Sequence, residues 1–245
     1  MSRDLRLEIA HVLFIDIVGY SKLLHNEQTE VLRELNDIVR STEQFRAADA
    51  SGALLRLPTG DGVALIFRNS PEAPAQCALE IAQALKSRAR FHLRMGIHSG
   101  PVNEVADVNE RANIAGAGIN IAQRVMDCGD AGHILVSKRV ADDLAQFRHW
   151  RPFLHDLGEC EVKHGVRLHL VNLYDESLGN AAVPQKFQQT TPKPAPNKPA
   201  PRSSLGWIAA VALLVAGGGI LFHLPPTGDG GRRHSRKIDR RPADG

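Results

Sequence analysis

Two aspartates are the residues of this sequence that are best placed to do chemistry. Asp16 lies at the end of an apolar run in LFIDIVGYS, and Asp61 lies between two glycines in LLRLPTGDGVALIF, residues 54–67. If the first strand lies beside the hairpin, the two carboxylates converge, and they repel each other unless a cation lies between them. Such oxygen ligands suit Mg²⁺ or Mn²⁺. Each aspartate alone is more typical of a turn or a helix cap, and it is the pair that favours the cation site.

Glycines accompany both acids. Gly19, Tyr20 and Ser21 follow Asp16 and are expected to open a helix, whose free backbone N–H groups would suit a phosphate. Gly60 and Gly62, on either side of Asp61, leave the backbone open to close approach by another group. The GxxxxGK[ST] pattern of a P-loop is absent. A metal pair beside an exposed helix start predicts phosphoryl chemistry of the two-metal kind.

The first 176 residues alternate between short apolar runs and amphipathic stretches. Strands are predicted at 9–17, at both arms of the hairpin, and at 91–102, 133–137 and 168–174; helical spacing is found at 31–39, 77–85 and 119–126. This alternation predicts an α/β sandwich with one mixed sheet and helices packed on its outer face.

Composition excludes several classes of protein. Lys+Arg number 30 against Asp+Glu 27, and six basic residues crowd the C-terminal tail, so binding of nucleic acid by the whole chain is poorly supported. Three cysteines without a CxxC pair favour free thiols over disulfides or a zinc site.

Composition also divides the chain into four parts. Residues 1–176 are predicted to form the folded α/β domain, 177–204 a Pro-rich extended linker, 205–224 a transmembrane helix and 225–245 a basic disordered tail. The stretch LGWIAAVALLVAGGGILFHL has the length needed to cross a bilayer, and the alternative is a buried helix of a soluble domain. The basic tail favours a cytoplasmic C-terminus, whereas the basic residues of the linker favour, more weakly, a cytoplasmic N-terminal domain.

Four segments carry a resemblance to a known family. HVLFIDIVGYSKL, RLPTGDGVALIF, RMGIHSGPV and GAGINIAQRVMDCGDAGHILVS resemble, in that order, the catalytic domain of class III adenylate/guanylate cyclases. The resemblance spans residues 9–174. It implies the ferredoxin-like class III cyclase fold, a mixed and mostly antiparallel sheet, and conversion of ATP or GTP to a 3′,5′-cyclic nucleotide and pyrophosphate.

The same resemblance assigns roles to individual residues. Asp16, Asp61 and the Ile17 carbonyl would bind two divalent cations, Mg²⁺ or Mn²⁺. Asn120 would orient the ribose and Arg124 would stabilise charge at the α-phosphate; their i,i+4 spacing places them on one helical face. Without the resemblance, Arg124 is typical of a solvated helix arginine.

Two further implications concern the terminal phosphates and the assembly. Lys163 in EVKHGV resembles a family lysine that contacts the terminal phosphates, although His164 interrupts the usual LKG motif. The family's sites form between two chains, so the resemblance implies a homodimer with composite active sites.

Two positions depart from the family pattern. Leu57 and Asn113 stand where adenylate cyclases carry the residues that read the purine, and leucine has no hydrogen-bonding group. The neighbouring Arg56 points to the opposite face if the strand alternates regularly. Two hypotheses therefore stand: an active cyclase that favours ATP over GTP, and a non-catalytic cyclase-homology module that binds nucleotide or only dimerises.

Overall fold

The computed structural model describes residues 7–86, 90–106 and 112–190. All of them lie in the first of two compact units of the chain, Met1–Lys193. The predicted transmembrane segment 205–224 and the basic tail lie outside the described residues. Within the described ranges, no helix has both the length and the apolar character of a membrane span.

One eight-stranded sheet forms the centre of this unit. Its strands run in the order β2-β3-β1-β4-β6-β8-β7, with β5 paired to β4. Only the β4–β6 pair is parallel among the strand pairs described. The strand bounds are β1 Leu7–Ile17, β2 Leu54–Pro58, β3 Gly62–Phe67, β4 Leu93–Ala106, β5 Ala112–Ala115, β6 Ile134–Ser137, β7 Leu154–Val162 and β8 Val166–Leu173. The predicted mixed, mostly antiparallel sheet is confirmed.

Helices cover both faces of the sheet. The α-helices of the described ranges are α1 His25–Ser41, α2 Glu43–Ala50, α3 Glu72–Lys86, α4 Ala117–Met126, α5 Lys138–Leu144 and α6 Gln185–Thr190. Alternate side chains of β1 point to opposite faces of the sheet. Leu13 and Ile15 pack with α1, α2 and α3, whereas Val12 and Phe14 pack with α4. Because side chains of a strand alternate, α4 is the helix that shares a face with Asp16.

Glycine allows α4 to lie directly on the sheet. A Cβ added to Gly96 of β4 would lie 2.3 Å from the Met126 backbone nitrogen, and one added to Gly118 would lie 2.9 Å from the Gly100 carbonyl carbon. Real Cβ atoms do not approach that closely, so a larger residue would force α4 away from β4. These contacts fix the height of α4, which carries Asn120 and Arg124, above the sheet.

The predicted domain boundary at residue 176 lies too early in the chain. Residues 177–190 were assigned to an extended linker, but α6 folds against the domain and Phe187 is 7% exposed, packed among Val125, Cys160 and Leu170. The linker is predicted from its proline and polar content. That content does not account for Phe187, whose ring covers an apolar surface of the domain. The rest of the predicted linker lies outside the described residues.

The remaining predictions of local structure are confirmed at the level of element type. The predicted strands and helices correspond to β1–β4, β6, β8, α1, α3 and α4. The sequence patterns did not indicate α2, α5, α6, β5 or β7. The three cysteines are buried free thiols, as predicted.

Candidate active site

Strand pairing brings Asp16 and Asp61 together. Antiparallel pairing of β1 with β3 places Asp16 opposite Gly62, the residue that follows Asp61. The Ile17 backbone N–H donates a hydrogen bond of 3.1 Å to the Asp61 carbonyl. The end of β1 and the tip of the β2–β3 hairpin are thus joined, and the predicted convergence of the two acids is confirmed.

The glycines around Asp61 allow this junction. Gly60 has φ of 92°, in the left-handed region that favours glycine. A Cβ added to Gly62 would lie 2.0 Å from the Ile15 carbonyl oxygen, so only glycine lets the hairpin tip reach β1. Asp61 itself is exposed at this tip.

Asp16 is the buried member of the pair. Its side chain is 8% exposed, and it accepts a hydrogen bond of 2.7 Å from Nε of Arg94, directly opposite on β4. Burial raises the pKa of Asp16 to about 6; Arg94 opposes that rise and the nearby Asp61 adds to it. The acid is therefore held between a cation and a second carboxylate.

Arg94 is the site residue that sequence reasoning missed. A second contact, of 3.5 Å, joins its Nη2 to Oδ1 of Asp127, which caps the C-terminal end of α4. A charged residue at the end of an otherwise apolar strand, in FHLRMGIHSG, was the available signal. Recognising it required the β1–β4 register, which sequence alone does not supply.

The turn after Asp16 opens a short helix. Gly19, Tyr20 and Ser21 are predicted to open a helix, and the structure has a 3-10 helix at Tyr20–Lys22 whose N-cap, Gly19, has φ of 77°. The α-helix begins later, at His25. Left-handed Gly19 turns the chain away from the β1 direction, which prevents a direct strand-to-helix transition. The three residues still lie next to Asp16 along the chain.

Asn120 and Arg124 share one side of α4, as their spacing predicts. Asn120 is exposed and Arg124 is partly exposed, while Ile119, Ala122 and Met126 of the same helix pack on the sheet. Within the described residues, the Arg124 guanidinium has no hydrogen bond or ion pair. Both polar groups are therefore available to a ligand or to a second chain.

Leu57 lies on the same face as Asp16, in a regular part of β2. It pairs with Ala64 of β3 and packs against the apolar cluster beneath α4. Arg56 points the other way, because it pairs with Asp49 of α2 and its guanidinium lies 5.2 Å from the Phe45 ring centroid. The expectation that Arg56 points to the face opposite Leu57 is confirmed.

Two predicted nucleotide contacts lie away from the acid pair. Lys163 is exposed in the turn between β7 and β8, and three strand-to-strand steps separate β8 from β1. At about 4.8 Å per step, that is a separation of about 14 Å. Asn113 lies on β5, opposite Val105 of β4. The chain itself does not bring Lys163 to Asp16.

The donor set at the acid pair fits a hard divalent cation. It offers two carboxylates and the Ile17 carbonyl, and oxygen donors of this kind suit Mg²⁺ or Mn²⁺. The hydroxyl of Thr59, in the same hairpin, is a buried oxygen that has no partner within the described part of the chain. No group of three or more His, Cys, Asp or Glu side chains in the described ranges is arranged for metal binding.

Comparison with known proteins supports the resemblance. Residues 63–173 match the family described as the adenylate and guanylate cyclase catalytic domain. The chain is 26% identical over 170 residues to "Putative adenylate cyclase 3" of Rhizobium meliloti (strain 1021), a match that covers 66% of this chain and 27% of that relative. The chain therefore spans about a quarter of that relative's length.

Solved structures show the same fold. The adenylyl cyclase CyaB from P. aeruginosa has a TM-score of 0.57 and 21% identity, over 71% of this chain and all of that chain. The adenylate/guanylate cyclase/hydrolase from Silicibacter pomeroyi has a TM-score of 0.55 and 26% identity, again over 71% of this chain and 100% of the other. The described unit therefore has the fold of the solved cyclases, and residues 63–173 within it resemble the adenylate and guanylate cyclase catalytic domain. The family match begins at residue 63, so the roles of Asp16 and Asp61 rest on their geometry.

Proposed function

We propose that the chain is a membrane-anchored nucleotidyl cyclase that converts ATP, in preference to GTP, to a 3′,5′-cyclic nucleotide and pyrophosphate. The observation that carries this proposal is the junction of β1 with the hairpin tip, where the Ile17 N–H donates to the Asp61 carbonyl and brings Asp16 beside Asp61. Two acids fixed this close, one of them buried, favour a cation-binding role over two separate turn positions.

The acid pair is proposed to hold two divalent cations, Mg²⁺ or Mn²⁺, together with the Ile17 carbonyl. When bound, such cations activate the ribose 3′-hydroxyl and neutralise charge at the α-phosphate. Asp61, at the exposed tip, is the more accessible ligand, and Asp16 is the more rigid one because Arg94 fixes one of its oxygens. The turn Gly19–Tyr20–Ser21 and Gly60 are proposed to approach the phosphates.

The helix α4 is proposed to supply the groups that act on the nucleotide's ribose and α-phosphate. The Asn120 amide would orient the ribose, and the Arg124 guanidinium would stabilise negative charge as the bond to pyrophosphate breaks. In a homodimer the acid pair of one chain would face α4 of the other. Lys163 lies about 14 Å from β1 by strand spacing. This separation supports the proposal that Lys163 contacts the terminal phosphates of a nucleotide held at the acid pair of the second chain.

A second candidate function is a cyclase-homology module that binds nucleotide or dimerises without catalysis. The observation that favours it is Leu57, whose side chain packs on the apolar cluster instead of offering a hydrogen bond to a base. Retention of Asp16, Asp61, Asn120 and Arg124 favours the enzyme, since a scaffold requires none of these groups.

The membrane anchor is proposed to be residues 205–224, with the catalytic domain in the cytoplasm. The support is the 20-residue apolar stretch in the sequence. Protease digestion of the 225–245 tail in sealed vesicles tests this topology, and protection from external protease would contradict an outward-facing tail.

The cyclase assay separates the two candidate functions. The full chain is incubated with Mn²⁺ and either ATP or GTP, and cyclic nucleotide and pyrophosphate are quantified together. We expect equal amounts of both products, with the higher rate from ATP. A dimeric protein that binds nucleotide and forms neither product would support the non-catalytic module.

A further inference from the structure

Arg94 occupies an unusual position between two acids that serve different parts of the site. Its Nε lies 2.7 Å from Oδ2 of Asp16, and its Nη2 lies 3.5 Å from Oδ1 of Asp127. The shorter contact is the one to the buried acid: the side chain of Asp16 is 8% exposed and that of Asp127 is 28% exposed. Arg94 thus links a proposed metal ligand on β1 with the C-terminal end of α4.

We propose that Arg94 competes with a divalent cation for Asp16 and that Asp127 is the alternative acceptor for its guanidinium. The proposal rests on the metal site proposed above. Cation binding at Asp16 then weakens the Arg94–Asp16 bond and strengthens the Arg94–Asp127 bond. The competition makes Arg94 a positioning residue, because it acts through Asp16 and Asp127.

Electrostatics favours this exchange. A divalent cation on the Asp16 carboxylate would lie within a few ångströms of the guanidinium, and like charges at such distances repel strongly where water is limited. The Arg94 side chain is 30% exposed, so its head can move without leaving a cavity. It also has a second acceptor already within reach.

The end of α4 is a favourable destination for that charge. Asp127 caps the C-terminal end of the helix, where the backbone carbonyls already carry partial negative charge. An unpaired carboxylate there is destabilising. A guanidinium beside it offsets both the charge of the carboxylate and the partial negative charge of the helix carbonyls. Occupancy of the metal site is therefore linked to the helix that carries Asn120 and Arg124, which belong to the other composite site of the dimer.

Manganese binding without nucleotide tests the proposal directly. Free Mn²⁺ is measured by electron paramagnetic resonance during titration of the full chain, and Asp16→Asn defines the binding that depends on this site. Arg94→Met is expected to tighten that binding by about tenfold, since the competing cation is removed. Asp127→Asn is expected to weaken it by about threefold, because Arg94 loses its alternative acceptor. In the Arg94→Met background, Asp127→Asn is expected to have almost no effect.

Arg68 offers a matched control. It is also a partly exposed arginine, directly after β3, 28% exposed against 30%, and it also contacts two carboxylates, Glu8 and Glu104. Arg68→Met should leave Mn²⁺ affinity unchanged. Arg94→Lys keeps a charge near Asp16 and should bind Mn²⁺ more weakly than Arg94→Met. Circular dichroism verifies the fold of each variant, and Asp127→Asn still tests the exchange if Arg94→Met does not fold.

Two results would contradict the competition between Arg94 and the cation. Equal or weaker Mn²⁺ binding by Arg94→Met, including no saturable binding by either protein, would overturn the competition. An effect of Asp127→Asn that persists fully in the Arg94→Met background would show that Asp127 acts without Arg94. These measurements involve no turnover, so a failed cyclase assay and a failed competition are separate outcomes.

Discussion

The acid pair and the position expected to read the purine share one face of the sheet but differ in chemistry. The Ile17 N–H, next to Asp16, donates a hydrogen bond to the Asp61 carbonyl, and a third charged residue, Arg94, fixes the buried acid. Leu57, two strands from β1, packs on an apolar cluster. Under the proposed function, the groups for bond formation are present, whereas the position expected to select the base carries an apolar side chain.

The largest expected effect comes from the acid pair. Asp61→Ala removes one of two carboxylate ligands, and cyclic nucleotide formation should fall by about 10³-fold or more, because charge at the α-phosphate loses its compensation. Initial rates at saturating Mn²⁺ measure the loss. Asp49→Ala, which removes an exposed acid paired with Arg56, is the control. Activity of Asp61→Ala within tenfold of the wild type would contradict the proposed metal-binding role of Asp61.

Arg124→Ala should lower kcat by about 10²–10³-fold, since its guanidinium is proposed to act mainly on charge that develops in the transition state. The Mn²⁺ concentration for half-maximal rate should stay unchanged, because Arg124 is not a metal ligand. Gln123→Ala, at the neighbouring exposed position, should have little effect. A matching loss of Mn²⁺ affinity would place Arg124 in a structural role instead.

Burial of Asp16 predicts a specific pH dependence of stability. Its pKa is raised from 3.8 to about 6, mainly by burial, so the unfolded chain releases this proton at lower pH than the folded domain. The stability of the wild type relative to Asp16→Asn should therefore fall as pH rises from about 4 to about 6, by about 1–3 kcal/mol, and then level off. Urea unfolding of both proteins in chelator measures the difference. A relative stability that rises over this range would contradict the burial argument.

The smallest effect is expected at Leu57. Leu57→Lys adds a hydrogen-bond donor on the site's face, and the ratio of ATP to GTP turnover should change by about tenfold while Mn²⁺ dependence stays the same. Leu55→Lys, two residues away in the same strand and on the same apolar cluster, is the matched control. An unchanged ratio in Leu57→Lys would show that another residue reads the base.

The sequence predicted those features that depend on local pattern. Apolar alternation identified the central strands, and glycines on both sides of Asp61 indicated the close approach that Gly62 makes to Ile15. Features that depend on long-range register were not predictable. Arg94 became part of the site only through the pairing of β1 with β4, residues 78 positions apart in sequence. The docking of Phe187 likewise depends on an apolar surface assembled from α4, β7 and β8.

Mixing two inactive variants tests the central claim most directly. Asp61→Ala lacks the metal-binding half of the site and Arg124→Ala lacks the other half, so a heterodimer of the two would contain one intact composite site. With free subunit exchange, half of the dimers would be heterodimers and half of their sites intact, which predicts recovery of about a quarter of wild-type activity. A mixture that exchanges subunits, verified by light scattering and affinity-tag pulldown, yet stays as inactive as its components would contradict the composite cyclase site.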